Sequence, residues 1–107
     1  MEMEIGILLN SIKSDYVISM HGNGEISDIR KNMIDEFVNS VDVKFGKKYA
    51  KIVIRNSVWG FVVIVVDDKK FKYGDILLPA GFNGPARNFA RGNIFDMNYN
   101  VRWTGPI

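Results

Sequence analysis

The residue types best able to bind a ligand are concentrated in residues 79–106, where arginines alternate with aromatic and amide side chains. An arginine guanidinium matches a phosphate or carboxylate through two parallel hydrogen bonds. Aromatic rings stack on nucleobases, and asparagine amides hydrogen-bond their edges. This combination indicates a site for a nucleotide or for single-stranded nucleic acid. The candidate contacts are Arg87, Asn88, Phe89, Arg91, Asn93, Tyr99, Arg102 and Trp103, with Phe82, Asn83 and Phe95 in the same stretch.

The same stretch also has a purely structural interpretation. A long ordered loop must satisfy its own buried backbone groups, and Arg, Asn, Gly and Pro do this while Phe and Trp anchor the loop to the core. The prolines, glycines and most aromatic residues are therefore assigned to structure. The three arginines, Asn88, Asn93 and one aromatic ring remain candidates for ligand contact. If Arg87 and Arg91 are both buried against backbone carbonyls, the ligand hypothesis fails.

Other constellations with a recognisable chemistry are missing from the sequence. His21 is the only histidine, and it has no recognisable Ser or Asp partner, so neither a catalytic triad nor a histidine metal site is expected. Lys69 and Lys70 compete for the carboxylates of Asp67 and Asp68, which favours a solvated turn over a cation site. Residues 22–24 lack the third glycine and the lysine of a phosphate-binding loop. We therefore expect a non-enzymatic protein with no catalytic residue, metal or cofactor.

Size and charge indicate one globular domain with a polarised surface. The chain has 107 residues, 47% of them apolar, and no cysteine, so packing rather than disulfides must stabilise it. Its most apolar run, residues 58–66, is far shorter than the roughly 20 residues of a membrane-spanning helix, and residues 1–4 are acidic, unlike a secretory signal. Residues 1–45 hold eight acidic and four basic side chains, whereas residues 46–107 hold four acidic and ten basic ones. The basic half is suited to phosphates or to an acidic partner.

The N-terminal residues 4–12 fit both the spacing of a helix and the alternation of a half-buried strand. We favour a strand because Gly6 weakens a helix. Residues 15–20 alternate as a second strand that could pair with the first, and Gly and Asn predict a turn at residues 21–24. The N-terminal segment is therefore predicted to be a β-hairpin.

One amphipathic helix is predicted over residues 27–41. Ser27 is a suitable N-cap, and Asp28 complements the positive end of the helix dipole. Apolar residues at helical spacing form one stripe that we assign to the core. The stripe consists of Ile29, Met33, Ile34, Phe37, Val38 and Val41.

The sequence pattern of the second half of the chain is typical of an antiparallel meander. Strands are predicted at residues 49–55, at 58–66 as the central strand with both faces covered, and at 71–78 with an interruption at Gly74 and Asp75. Gly60 indicates a bulge or a close backbone approach. A last strand at residues 99–103 would close the sheet.

These elements predict an α+β fold: an antiparallel sheet or small, partly closed barrel of about five strands, with one amphipathic helix packed on it. The single domain 1–107 would comprise an acidic hairpin and helix in residues 1–45. A basic β-meander with a long ordered loop at residues 79–98 would form residues 46–107.

Several segments of the second half match a common pattern: SVWGF (57–61), FKYGDIL (71–77), PA (79–80), PARN (85–88), ARGNIF (90–95) and WTGP (103–106). In these segments the chain resembles a group of small, uncharacterised proteins encoded by tailed bacteriophages. The resemblance implies a phage accessory protein acting in the cytoplasm of the infected bacterium. It brings no activity and no catalytic residue with it.

The function expected from residues and resemblance together is non-enzymatic binding of nucleic acid or a nucleotide through the basic, aromatic C-terminal surface, with countering a host defence as one use. Two alternatives stay open. One is an inhibitor that occupies a host enzyme through the same loop or a sheet edge, and the other is a minor virion or assembly component. The expected partner is nucleic acid, a nucleotide or a host protein, without a membrane, and a homo-oligomer is left open.

Overall fold

The computed structural model describes residues 1–21 and 27–106, and for His21 it describes the backbone alone. The candidate turn at residues 21–24 and the comparison of residues 22–24 with a phosphate loop therefore fall outside the described part of the chain, apart from the backbone of His21. The α+β class is confirmed, because two helices pack with one four-stranded and two two-stranded antiparallel sheets. No closed barrel forms from the described strands.

The predicted N-terminal hairpin is wrong, because the segment forms one long helix, α1 (Glu2–His21). Ile5, Leu8, Ile12 and Tyr16 are buried along one face of α1. Their spacing of three and four residues continues without interruption through residues 13 and 14, between the two predicted strands, which is the pattern of a helix and not of two strands. A Cβ added at Gly6 would meet no atom within 4 Å, so this glycine serves no close approach.

The one predicted helix is confirmed as α2 (Asp28–Ser40), and its N-cap is Ser27, whose hydroxyl accepts a hydrogen bond from the Arg30 backbone N–H at 3.2 Å. The apolar stripe, however, is only partly in the core. Phe37 is buried, whereas Ile29 is 73% exposed and Met33 41% exposed. The first two turns of α2 therefore present apolar side chains to solvent.

The main sheet is antiparallel with strands in sequence order: β1 (Val41–Phe45), β2 (Tyr49–Ile54), β3 (Ser57–Val63) and β4 (Ile76–Leu77). The interior position of β3 and the burial of both its faces confirm it as a central strand. The register shifts where Ile52 faces Gly60 and Val53 faces Val58, so one extra residue is bulged into β3. A Cβ at Gly60 would lie 3.0 Å from the carbonyl oxygen of Leu77, which is the close approach that the glycine indicated.

Two apolar clusters cover the two faces of this sheet. The larger cluster combines the buried face of α1 with Phe37 of α2 and with Ala50, Ile52 and Val62 of the sheet. The smaller cluster lies on the opposite face, where the side chains of Phe61, Val63 and Leu77 pack with Phe71. Because Ala90 packs against the smaller cluster, the chain that follows β4 runs back across this second face.

The remaining strands form two small hairpins. The first pairs β5 (Pro79–Gly81) with β6 (Gly84–Pro85), and the second pairs β7 (Val101–Arg102) with β8 (Gly105–Pro106). The expectation that residues 99–103 would close the main sheet is wrong, because β7 pairs with β8 and packs on α1. Only two residues of the predicted strand 71–78 belong to the main sheet, since positive φ at Gly74 and a turn interrupt the rest.

Candidate functional site

The Arg87 side chain is engaged in intramolecular hydrogen bonds. Its guanidinium makes two hydrogen bonds to the Asp68 carboxylate, at 2.9 and 3.1 Å, and donates a third to the Tyr49 hydroxyl. The Asp68 oxygen also accepts hydrogen bonds from the backbone N–H groups of Lys70 and Phe71, both at 2.9 Å. Arg87 therefore connects the turn after β3 to the start of β2, although about two fifths of its side chain stays exposed.

The charges of this pair reinforce one another. The hydrogen bond from Arg87, followed by the two backbone donors, holds the pKa of the Asp68 carboxyl well below its usual range. The Asp68 carboxylate in turn raises the pKa of Arg87. Both groups are thus charged at neutral pH, and the ion pair fixes residues 68–71 against residue 87.

Arg91 has a different environment. Its guanidinium carbon lies 4.0 Å from the centre of the Phe89 ring, which is a cation–π distance. Its buried Nε has no hydrogen-bond partner among the described residues. Arg91 lines an open cavity of about 500 Å³ together with Lys72, Phe89, Asp75 and Asp96. The backbone of Arg91 is fixed beside β4, because its N–H donates to the Ile76 carbonyl at 2.7 Å.

The two asparagines that were candidate contacts bond to the protein itself. The Asn93 side-chain amide donates to the Tyr73 carbonyl and the Asp75 carboxylate, both at 2.9 Å, and its oxygen accepts from the Phe95 N–H at 2.8 Å. Asn93 is also 6% exposed, so its side chain is the centre of a structural network. Asn88 remains exposed, and its oxygen accepts a hydrogen bond from the N–H of Phe89.

Tyr99, Arg102 and Trp103 lie near α1, apart from the other candidates. The Trp103 backbone N–H donates to the Asp15 carboxylate at 2.9 Å, and the Arg102 carbonyl accepts a hydrogen bond from the indole of Trp59 at 2.7 Å. Burial raises the pKa of the Tyr99 hydroxyl. Arg102 lines a cavity beside α1 that does not include Arg91. The structure therefore does not bring the three arginines together into one site.

A cluster of basic and aromatic residues that was not predicted surrounds the turn between β1 and β2. Residues 44–51 read KFGKKYAK, so four lysines, one phenylalanine and one tyrosine fall within eight residues. We call this segment the lysine hairpin. Its composition is a sequence signal for an anion-binding surface, and it lies outside residues 79–106, which contain all the predicted contacts. Lys44, Lys47, Lys48 and Lys51 line a shallow pocket with Asn83 from the turn between β5 and β6.

The register of the lysine hairpin places like charges opposite each other. Lys44 of β1 faces Lys51 of β2 directly, and like charges in this position destabilise a sheet. The Lys51 ammonium lies 4.3 Å from the centre of the Phe82 ring, on the same turn as Asn83. Phe45 and Phe82 are 53% and 55% exposed. Phe82 therefore places a solvent-facing ring beside the lysines, whereas Phe45, which follows Lys44 on β1, points to the opposite face of the sheet.

No family model, curated protein or solved structure matches this chain. The described residues contain no group of three or more potential ligands that could hold a metal ion. Across residues 1–21 and 27–106, no helix combines the length and the apolar character needed to cross a membrane.

The lysine hairpin and loop 86–91 occupy the same side of the sheet. Tyr49 of the hairpin accepts a hydrogen bond from Arg87, which is in the same loop as Phe89 and Arg91. Lys51 faces Phe61, whose side chain belongs to the apolar cluster that Ala90 covers. Positive side chains and exposed rings therefore extend from the hairpin along the loop. This surface is chemically suited to a chain of phosphates with unstacked bases.

Proposed function

We propose that this protein is a non-enzymatic nucleic-acid-binding protein, and that its ligand is a single strand lying along the lysine hairpin and loop 86–91. The observation that carries the proposal is the direct opposition of Lys44 and Lys51 beside the exposed ring of Phe82. This arrangement costs stability in the free protein. Phosphates between the two ammonium groups would remove the repulsion and release counterions from the nucleic acid.

The exposed aromatic rings favour a single strand over a duplex. On the face of the sheet that carries Lys51, Phe82 and Phe89 are each more than half exposed. A base in a duplex is already stacked on its neighbours, whereas an unstacked base gains about 1–3 kcal/mol from an aromatic ring. Stacking on rings in this way is tolerant of sequence, so we expect affinity with little base preference.

The loop arginines have two separate roles in this proposal. Arg91 has its guanidinium on Phe89 and no ion-pair partner among residues 1–21 and 27–106, so it is available to phosphate. Arg87 is engaged by Asp68 and Tyr49, and its role is to hold the loop against the hairpin. Arg102 and Trp103 lie beside α1 and are not part of the proposed surface.

The biological setting remains a prediction from the C-terminal pattern. A phage accessory protein in the infected cell would meet single strands during replication, transcription and the action of host nucleases. A protein that covers such strands without sequence preference could shield them from a host defence. This use follows from binding alone and requires no catalytic group.

Fluorescence anisotropy with a labelled oligothymidine of about 20 nucleotides tests the proposal, because the strand exceeds the site size of most single-strand binders. We expect binding at about 50 mM salt that weakens steeply as salt is raised. The double variant Lys44→Gln/Lys51→Gln should lose most of the affinity. The matched control Lys13→Gln/Lys31→Gln removes the same charge from the helices and should bind as the native protein does.

Two results would count against the proposal. One is a dissociation constant no tighter than about millimolar at low salt, since nonspecific phosphate contacts alone usually give tighter binding than this. The other is equal loss of affinity in both double variants, which would reduce binding to net charge. An inhibitor of a host enzyme gives a third pattern: a host protein that stays bound after the lysate has been treated with nuclease.

A further inference from the structure

A second candidate site lies at the other end of β2, remote along the strand from the lysine hairpin. It is a cleft of about 460 Å³ between α2 and the turn that joins β7 to β8. Four aromatic residues line it: Tyr16, Phe37, Trp59 and Trp103. Its volume is within the range of pockets that hold small organic ligands. Among residues 1–21 and 27–106, Arg55 is the single charged residue that lines it, and no carboxylate does.

The aromatic walls are fixed by contacts within the protein. The Tyr16 and Phe37 rings are stacked at 3.8 Å with an interplanar angle of 5°. Trp103 stands at 88° to both rings, with centroid distances of 5.2 and 5.9 Å. The Trp59 indole is held by its hydrogen bond to the Arg102 carbonyl. Because these rings are already positioned, a flat ligand would lose little free energy to reorganisation of the cleft.

Arg55 occupies its position at a cost in backbone conformation. It has a φ of 58° in the two-residue turn between β2 and β3, a left-handed conformation that suits glycine. Asn56, the next residue, does not have a positive φ. Two-residue turns in which only the first central residue has a positive φ prefer glycine at that position. The Arg55 guanidinium forms no ion pair with any described residue. A strained residue with an unused charge at the rim of a cavity suggests a binding role.

From the cleft and its strained arginine together, we infer a binding site for a small molecule that combines a flat aromatic ring with a negative charge. The ring lies in the cleft against the wall formed by Trp103, Tyr16 and Phe37, whose rings are already in contact with one another. The anionic group reaches the Arg55 guanidinium, with the Ser57 and Thr104 hydroxyls at the same lining as further hydrogen-bond partners. The positive charge of Arg55, with no carboxylate among the described lining residues, selects an anion over a cation. This site is independent of the proposed nucleic-acid surface.

The two tryptophans of the chain both line the cleft, so their signals report on it directly. The probe is 1-anilinonaphthalene-8-sulfonate, an aromatic anion, and the control is the neutral N-phenyl-1-naphthylamine. We expect the sulfonate to quench tryptophan emission saturably and to shift both indole N–H resonances. Arg55→Gly should weaken its binding about tenfold, the effect of losing one charge-assisted hydrogen bond. Arg55→Lys should restore part of the affinity.

The design separates a binding role of Arg55 from a structural one. Glycine suits the backbone at residue 55, so Arg55→Gly should have a Tm no lower than that of the native protein. The neutral probe should bind the native and Arg55→Gly proteins equally. Equal affinity of the sulfonate for both proteins overturns the inference, as does a sulfonate titration that leaves both indole resonances in place. The Lys44→Gln/Lys51→Gln variant should bind the sulfonate unchanged, and a loss there would place the probe on the lysine hairpin instead.

Discussion

Replacing Lys44 with glutamate should stabilise the protein and weaken its binding to nucleic acid. The change removes the repulsion between Lys44 and Lys51 and places an ion pair across the two strands. Cross-strand pairs of charges contribute about 0.2–1 kcal/mol each, so relief of repulsion and gain of attraction together amount to about 1 kcal/mol. In a domain of this size such a gain raises the Tm by about 4–8 °C.

The same substitution should change the salt dependence of binding. For single strands the slope of log K against log salt concentration is about −0.7 for each phosphate neutralised, so the four lysines alone contribute about −2.8. A fourfold increase in salt would then weaken binding of the native protein at least about 50-fold, and more if Arg91 also neutralises a phosphate. Lys44→Glu removes one contact, and the slope should become shallower by at least about 0.7. Repulsion between the new carboxylate and phosphate should weaken binding further at low salt.

Thermal unfolding followed by circular dichroism measures the first effect, and anisotropy at several salt concentrations measures the second. Lys44→Gln should give an intermediate Tm because it removes repulsion without adding attraction. Lys31→Glu on α2 changes the net charge equally and should leave the slope unchanged. A lower Tm for Lys44→Glu would refute the reasoning about the cross-strand pair, and an unchanged slope would refute the phosphate contact.

Three further predictions concern the fold. Leu8→Ala should lower the free energy of unfolding by about 2–5 kcal/mol in urea denaturation, because it removes a fully buried side chain from the packed face of α1. Gly74→Ala should cost about 1–3 kcal/mol, because φ is 90° and the new Cβ would lie 2.5 Å from the Phe95 ring. Asp68→Asn should reduce the acid sensitivity of stability: the ion pair with Arg87 contributes fully above the unfolded-state pKa of about 4 and is lost as pH falls below it. The stability difference between native and variant proteins should therefore shrink toward low pH.

The elements that could be predicted from the sequence were those with one dominant signal. The apolar run of β3 is covered on both faces and could be recognised from its β-branched residues. The second helix had both a periodic stripe and an N-cap at Ser27. For α1, in contrast, the sequence contains two patterns: the helical spacing of the four residues that face the core, and a strand-like alternation over residues 4–12. Periodicity over so short a window does not decide between the two, and only its continuation to Tyr16 favours the helix.

Closure of the main sheet could not be predicted from local sequence patterns, because it depends on which strands pair with each other. Residues 99–103 have strand-forming composition. They form a local hairpin, because Gly105 adopts a positive φ and residues 105–106 pair with residues 101–102. The edge of β4 is instead covered by a non-strand segment: the Ile76 N–H donates to the Gly92 carbonyl, and the Arg91 N–H donates to the Ile76 carbonyl. Pairing of this kind leaves no periodic pattern in the sequence.

The candidate site shows a more general distinction between satisfied and unsatisfied residues. Arg87 and Asn93 were predicted as ligand contacts because of their residue types. Their polar groups are instead largely engaged in hydrogen bonds to Asp68, Tyr73 and Asp75, which hold the loop in place. Loop composition cannot separate such residues from ligand contacts, because both roles require the same donors.

Residues that lower the stability of the free protein are therefore the more informative candidates. Lys44 opposes Lys51, and Arg55 adopts a conformation suited to glycine, so neither is explained by the fold. Selection for stability alone would replace the first with an acidic residue and the second with glycine. A ligand that neutralises these positive charges would account for their presence. Both substitutions therefore have the same diagnostic signature, in which unchanged or greater stability accompanies weaker binding.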